Sequence, residues 1–294
     1  MAEHLGDQAA GLRRLFAKER TRIVTFAAGA NGLGQSLLVA NLAASIARQG
    51  KEVLVLDETM KNNVASYFGS RGRYDLQHVI NGEKSLSEVL LNLAPGVRVL
   101  PMARAVKRLG KLNPLQQHSL MQGFAGFGAP ADVILVDSSL DHPLGFSPLG
   151  LVAHETIVLV EPKGVSITDA YALIKKVSLG YARRDFRILV NKVRGSEEAE
   201  SIFGNIAHVT HSRKLARLEY AGFVPLDGQL CQAAKLSQSV VELFPEAPAA
   251  KTIRAIASEL LDWPLPENDS GGLEHFVQQL LHLSQRIDPV AIYA

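Results

Sequence analysis

Gly29-Ala30-Asn31-Gly32-Leu33-Gly34-Gln35-Ser36 keeps two glycines and a serine at the spacing of a phosphate-binding loop, G-x-x-x-x-G-K-[ST], but carries glutamine in the lysine position. In such a loop the backbone N–H groups at a helix N-terminus cradle phosphate oxygens, and the lysine adds a point charge on the β- and γ-phosphates. Gly29, Asn31, Gly32, Leu33, Gly34, Gln35 and Ser36 are therefore the candidate phosphate contacts. Two carboxylates end apolar runs. Lys51-Glu-Val-Leu-Val-Leu-Asp57 can aim Asp57 at a phosphate-bound Mg²⁺ or at water, which makes it the candidate catalytic acid. Ala131-Asp-Val-Ile-Leu-Val-Asp137 has the Walker B pattern, whose aspartate holds Mg²⁺, so Ser36 and Asp137 are the candidate metal ligands. Ser138 and Ser139 lie near His142, a combination that suggests nucleophilic catalysis but is read more simply as the turn after that strand. The histidines show no metal-ligand spacing with Cys231.

These residues need a scaffold that brings strand ends together. Short apolar runs at 22–27, 52–56, 97–101, 132–136, 156–160 and 186–190 predict strands buried on both faces, as in a parallel sheet. Helical patterns at 37–49, 84–93, 113–124, 167–181 and 196–210 fall between or after them. A last short strand is expected around Val224-Pro225, with helices following at 228–236 and 249–262. The alternation predicts an α/β fold, a doubly wound, mostly parallel sheet with helices on both faces and its ligand site at the carboxyl ends of the strands.

The predicted organisation is an amphipathic helix at 1–20, a main domain at 21–263, a linker at 264–272 and an amphipathic helix with tail at 273–294. Leu273, Phe276, Val277, Leu280, Leu281 and Ile287 form the apolar stripe of that last helix. Its polar face has few cations, and two readings stay open: packing on the domain, or lying on a membrane surface. With 294 residues, 47% of them hydrophobic, the chain can bury a sizeable core, and a net charge of +2 gives no strong pull toward nucleic acid. The single cysteine suits a reducing cytosol, and the charged first residues argue against a secretory leader. No run of about 18 apolar residues is present, so membrane contact is expected to be peripheral.

With these motifs in place, the chain resembles the MinD/ParA group of deviant P-loop ATPases, and within it the flagellar-number regulators of the FlhG/FleN type. The group's deviant loop, K-G-G-V-G-K-[ST], falls on Ala30-Asn-Gly-Leu-Gly-Gln-Ser36. Its dimer-bridging lysine is then Ala30 and its P-loop lysine Gln35, while its D-x-D falls on Asp57-Glu-Thr59, without the second acid. The likeness continues through Val152–Val160, Ser166–Lys175, Leu189-Val-Asn191-Lys-Val-Arg, Leu218–Pro225 and Val241–Ala250. It implies that Asn191 contacts adenine, that ATP or ADP and Mg²⁺ are the cofactors, and that a homodimer can form.

Asp7-Gln-Ala-Ala-Gly-Leu-Arg13 matches the D-Q-A-x-x-L-R helix of the FlhG type. By that resemblance Asp7, Gln8, Ala9, Leu12 and Arg13 would bind the GTPase FlhF and stimulate its hydrolysis, with a flagellar transcription regulator or switch protein as further partners. The lost lysines lead to the expectation of a MinD-type scaffold with little or no ATP hydrolysis, cytoplasmic or peripheral at the inner face of the plasma membrane. Two alternatives stay open. One is a working ATP-dependent monomer–dimer membrane switch, with Lys61, Arg71 or Lys163 as substitute cation. The other is a ParA-like partition protein, against which the low net charge and the N-terminal motif argue.

Overall fold

The computed structural model describes residues 21–125, 131–142, 146–265 and 273–286. β1 (Arg22–Ala28) runs through the loop into α1 (Gln35–Ala47) and then β2 (Val53–Asp57). After a 3₁₀ turn at Val64–Phe68 come the short α2 (Leu76–Ile80) and α3 (Leu86–Val89), then β3 (Leu91–Ala94) and β4 (Val97–Pro101). A second 3₁₀ segment, Val106–Lys111, precedes α4 (Pro114–Ala125) and β5 (Val133–Asp137). Next are the one-turn α5 (Leu149–Val152), β6 (Glu155–Val160), α6 (Gly164–Tyr181), β7 (Asp185–Val193), α7 (Ser196–Ser212) and β8 (Arg217–Pro225). The last described elements are α8 (Gly228–Lys235), α9 (Val240–Leu243), α10 (Pro248–Asp262) and α11 (Leu273–Arg286).

The strands form one sheet in the order β3-β4-β2-β5-β1-β6-β7-β8, parallel throughout except for the β3–β4 pair. Successive side chains of each strand go to opposite faces. Val53 and Val55 join the core under α1 and α10, while Leu54 and Leu56 join the core under α2, α4 and α11. Toward the other edge, Val158 and Val160 pack with α6 and α7. The apolar runs of β1, β2 and β5 are therefore continuous because both faces are covered. This is the doubly wound, mostly parallel sheet expected from the alternation of elements.

Two local expectations are corrected. The helix expected over 84–93 is only Leu86–Val89, because Leu90 turns extended at φ −68, ψ 131 and the chain continues as β3. Pro95-Gly96 then makes the turn into β4, with Gly96 at φ 74 supplying the left-handed residue that such a turn requires. The short strand expected at Val224-Pro225 is the end of a nine-residue β8. Its pairing with β7 is interrupted by register shifts, which weakens the alternation a reader would look for.

The apolar face of α11 lies in the protein's own core. Phe276, Val277, Leu280 and Leu281 are buried with residues of α2, α4 and the second 3₁₀ segment, and Leu273 is half-buried against them. Gly110 lets the helix approach closely: a Cβ there would sit 2.5 Å from the Ser284 carbonyl oxygen. Ile287, the linker residues from 266 to 272 and the whole 1–20 segment, with Asp7, Gln8, Ala9, Leu12 and Arg13, lie outside the described residues. At the amino end of β1, Arg22 is buried and donates to the backbone carbonyls of Leu261 (3.1 Å) and Trp263 (2.5 Å), tying the end of α10 to the start of the sheet. The Arg187 guanidinium stacks over Trp263, 4.0 Å from the ring centre.

Candidate phosphate-binding site

The loop between β1 and α1 sits at the carboxyl ends of the central strands. Gly32 and Gly34 hold φ of 84 and 86, the left-handed region where other residues are strained. Gly29 is required for a different reason. A Cβ there would lie 2.3 Å from the backbone carbon of Asp169, so α6 can approach the loop only over a glycine. Ala30, Asn31, Gly32, Gly34 and Gln35 line an open cleft of ≈ 620 Å³, closed on the other side by Met60, Tyr67 and Leu140. That is the size of small-molecule and nucleotide sites.

Gln35 and Ser36 begin α1, and both side chains turn to the Walker strand. Gln35 Nε2 donates to Asp137 Oδ1 at 2.6 Å and to the Ser138 carbonyl at 2.8 Å. Ser36 Oγ donates to Asp137 Oδ2 at 2.5 Å, and Thr59 Oγ1 reaches the same oxygen at 3.3 Å. Asp137 is fully buried, and its carboxylate engages the side chains of the first two residues of α1. Burial raises its pKa, and the three hydrogen bonds oppose that rise.

Asp57 stands directly opposite Asp137 in the parallel register of β2 and β5. It faces backbone rather than the cleft: Oδ1 accepts from Thr59 N (2.9 Å) and Oδ2 from Val64 N (2.8 Å). Burial first and the Asp137 charge second push its pKa well above the carboxylate range. A third acid, Glu58, was not legible as a site residue, since it occupies the unspecified middle place of the D-x-D pattern. It is buried, accepts from Ser147 Oγ and from Ser139 N at 3.0 Å, and burial pushes its pKa up to about 7. Three buried carboxyl groups thus lie near one another at the ends of β2 and β5, and of these Asp137 is the one that the Gln35 side chain contacts.

The remaining candidates fall as follows. Asn191 is buried and donates from Nδ2 to the Leu33 carbonyl at 2.7 Å, so its amide is engaged by the loop itself. Ser138 Oγ donates to the Phe26 carbonyl at 2.6 Å, as befits a turn after the strand. Lys61 lines the cleft; Lys163 pairs with Glu161 at 3.3 Å; Arg71 is exposed and outside the cleft lining. Lys192, which no motif singled out, places its ammonium 3.0 Å from the Gly32 carbonyl. Among the described residues no group of three His, Cys, Asp or Glu could hold a metal ion, and no helix is long and apolar enough to cross a membrane.

The donor set fits a phosphate with a hard divalent cation in part. The left-handed glycines, the helix N-terminus and the adjacent Ser36 hydroxyl and Asp137 carboxylate match what phosphate and Mg²⁺ require. The loop itself carries no cationic side chain, with Ala at 30 and Gln at 35.

Residues 24–240 match the family described as the CobQ/CobB/MinD/ParA nucleotide binding domain. The antiactivator FleN of Pseudomonas aeruginosa is 31% identical over 273 residues, covering 92% of this chain and 97% of that protein. The flagellum site-determining protein YlxH of Helicobacter pylori is 25% identical over 272 residues, covering 90% and 91%. Among solved structures, MinD from Aquifex aeolicus superposes with a TM-score of 0.62 at 22% identity, covering 84% of this chain and 99% of that one. The Pyrococcus horikoshii MinD complexed with Mg-ADP gives a TM-score of 0.60 at 20% identity, covering 82% and 96%. The chain belongs to the CobQ/CobB/MinD/ParA nucleotide-binding family, as a member of the FlhG/FleN type.

Proposed function

We propose that this protein regulates flagellar number or placement from a MinD-type nucleotide-binding scaffold that hydrolyses ATP little or not at all. The observation that carries the reading is the turn of Gln35 onto Asp137 and Ser138, in a loop whose other lysine position is Ala30. The relatives support the biological setting, since FleN is an antiactivator and YlxH determines the flagellum site. ATP or ADP would lie on the Gly29–Ser36 loop, with Ser36 and Asp137 as the side chains that hold Mg²⁺, which when bound neutralises phosphate charge. Asp57 is spent on backbone N–H groups and is poorly placed to activate water.

Regulation would then rest on binding. Residues 1–20 would engage the GTPase FlhF, with Gln8 and Arg13 orienting water and neutralising charge in that enzyme's site. A flagellar transcription regulator or switch protein is the further partner class. The protein would act in the cytoplasm, with any membrane attachment peripheral; the stripe of α11, packed in the core, would have to undock to supply it. Steady-state phosphate release tests the central claim. The expected result is turnover at background level. Turnover that Asp57→Ala or Asp137→Ala abolishes would refute it and favour the ATP-driven membrane switch.

A further inference from the structure

The phosphate loop is held from outside by a residue whose backbone is strained to reach it. Lys192 lies at φ 61, in the left-handed region that disfavours any side chain but glycine's. It sits where the register of β7 against β8 shifts, between Asn191 and Val193. Such irregularities re-aim a side chain. The ammonium so aimed donates to the Gly32 carbonyl at 3.0 Å and pairs with Glu161 at 3.3 Å. Glu161 is itself fixed: it is buried, its N–H bonds Ser166 Oγ at 3.1 Å, and Lys163 holds its other carboxylate oxygen at 3.3 Å. Two ammonium groups on one carboxylate leave the cluster one positive charge in excess.

The preceding residue does parallel work. Asn191 Nδ2 donates to the Leu33 carbonyl at 2.7 Å, so two consecutive residues of β7 bind two consecutive carbonyls of the loop. Because a trans peptide is planar, fixing the Gly32 carbonyl fixes the opposite direction of the Leu33 N–H, and fixing the Leu33 carbonyl does the same for Gly34. A cation on a carbonyl also polarises its peptide and strengthens the donor on the far side.

We propose that Lys192 is a positioning residue for a phosphate-bearing ligand. With Ala30 and Gln35 in the lysine positions, Lys192 supplies the loop's rigidity, and the Lys192–Glu161–Lys163 cluster its resident positive charge. This rests on the nucleotide-binding reading above, and the test separates the two. ADP with Mg²⁺ is titrated calorimetrically into full-length wild type, Lys192→Met, Lys192→Arg and the exposed control Lys175→Met, at low and high salt. Amide hydrogen exchange of residues 32–36 is measured without ligand.

Lys192→Met should weaken ADP about tenfold, the scale of one charge-assisted hydrogen bond, with the deficit shrinking as salt rises. Lys192→Arg should restore most of the affinity, and the loop amides of Lys192→Met should exchange faster. Lys192→Met binding like wild type would overturn the proposal. Weaker binding with unchanged exchange would make Lys192 a direct ligand and overturn the positioning role. Wild type that binds no ADP would refute the nucleotide reading; exchange alone then decides the clamp, faster supporting it and unchanged refuting it.

Discussion

Restoring the lysine, Gln35→Lys, tests whether the cradle is intact and merely short of charge. In the present site Gln35 Nε2 lies 2.6 Å from Asp137 Oδ1 and 2.8 Å from the Ser138 carbonyl. A lysine ammonium would first take the same place and pair with the buried Asp137. Two charges at about 4 Å attract by roughly 4 kcal/mol at the effective dielectric of a partly screened site. The ammonium must leave that partner, or share it, to touch a phosphate. A charged hydrogen bond to phosphate contributes about 1.5–3 kcal/mol, a gain of about tenfold to a hundred-and-fifty-fold in affinity. With Mg²⁺ present the Asp137 carboxylate has another cation to face, so most of that gain should be realised; without Mg²⁺ the lysine stays on Asp137 and the gain should be small. Calorimetric titration of ATP and ADP, with and without Mg²⁺, measures both. Hydrolysis should stay at background, because Ala30 and Thr59 still stand in the other polar positions. An affinity for Mg-ATP unchanged by Gln35→Lys would refute the reasoning, since it would mean the loop does not present its donors to a phosphate at all.

The acid cluster predicts a pH dependence of stability. Glu58 rises from 4.5 to about 7 on folding, so the stability it contributes is present below about pH 4.5 and lost as pH rises toward 7, about 3 kcal/mol in all. Asp57 and Asp137 act in the same direction, so thermal midpoints should fall from about pH 5 to pH 8, and Glu58→Gln should flatten that slope; identical slopes would refute the assignment. A peptide of residues 1–20 should raise GTP turnover by FlhF without added ATP, and Gln8→Ala or Arg13→Ala should weaken it; no stimulation by peptide or whole protein would sink the partnership. Phe276→Ala removes a fully packed ring and should cost about 3 kcal/mol or more in denaturant unfolding. Flotation with anionic liposomes should not respond to ATP and Mg²⁺, and an ATP-dependent shift lost in Phe276→Glu would show a working switch.

The sheet was legible because its central strands are short apolar runs that nothing interrupts, as in Val53–Leu56 and Val133–Val136. The loop was legible because its glycines are held by local geometry, and Asp137 because strand and carboxylate are adjacent in sequence. Pro95-Gly96 was a readable turn signal that the helical pattern of the preceding residues obscured. What sequence could not give is direction across long separations. Gln35 could reach for phosphate or for Asp137, and only the register of β1 against β5 brings that carboxylate under it. Asp57 looks like a catalytic acid until the turn at 59–64 folds its N–H groups onto it. Lys192 meets Gly32 across 160 residues, through a bulge that no local pattern announces.

The clasp of Arg22 on Leu261 and Trp263 fixes where the two chain extensions are rooted. Both leave the described domain at the amino end of β1, while the phosphate loop leaves from its carboxyl end. Seven residues of strand separate the two, about 23 Å, and that strand is paired along its length with β5 and β6. A strand held on both sides cannot slide by a fraction of a residue. It forms a strut between the loop and the root of residues 1–20. Any signal from the phosphate site to residues 1–20 would have to pass along this paired strand. The clasp also places the roots of residues 1–20 and of the 266–272 segment at the same end of the sheet.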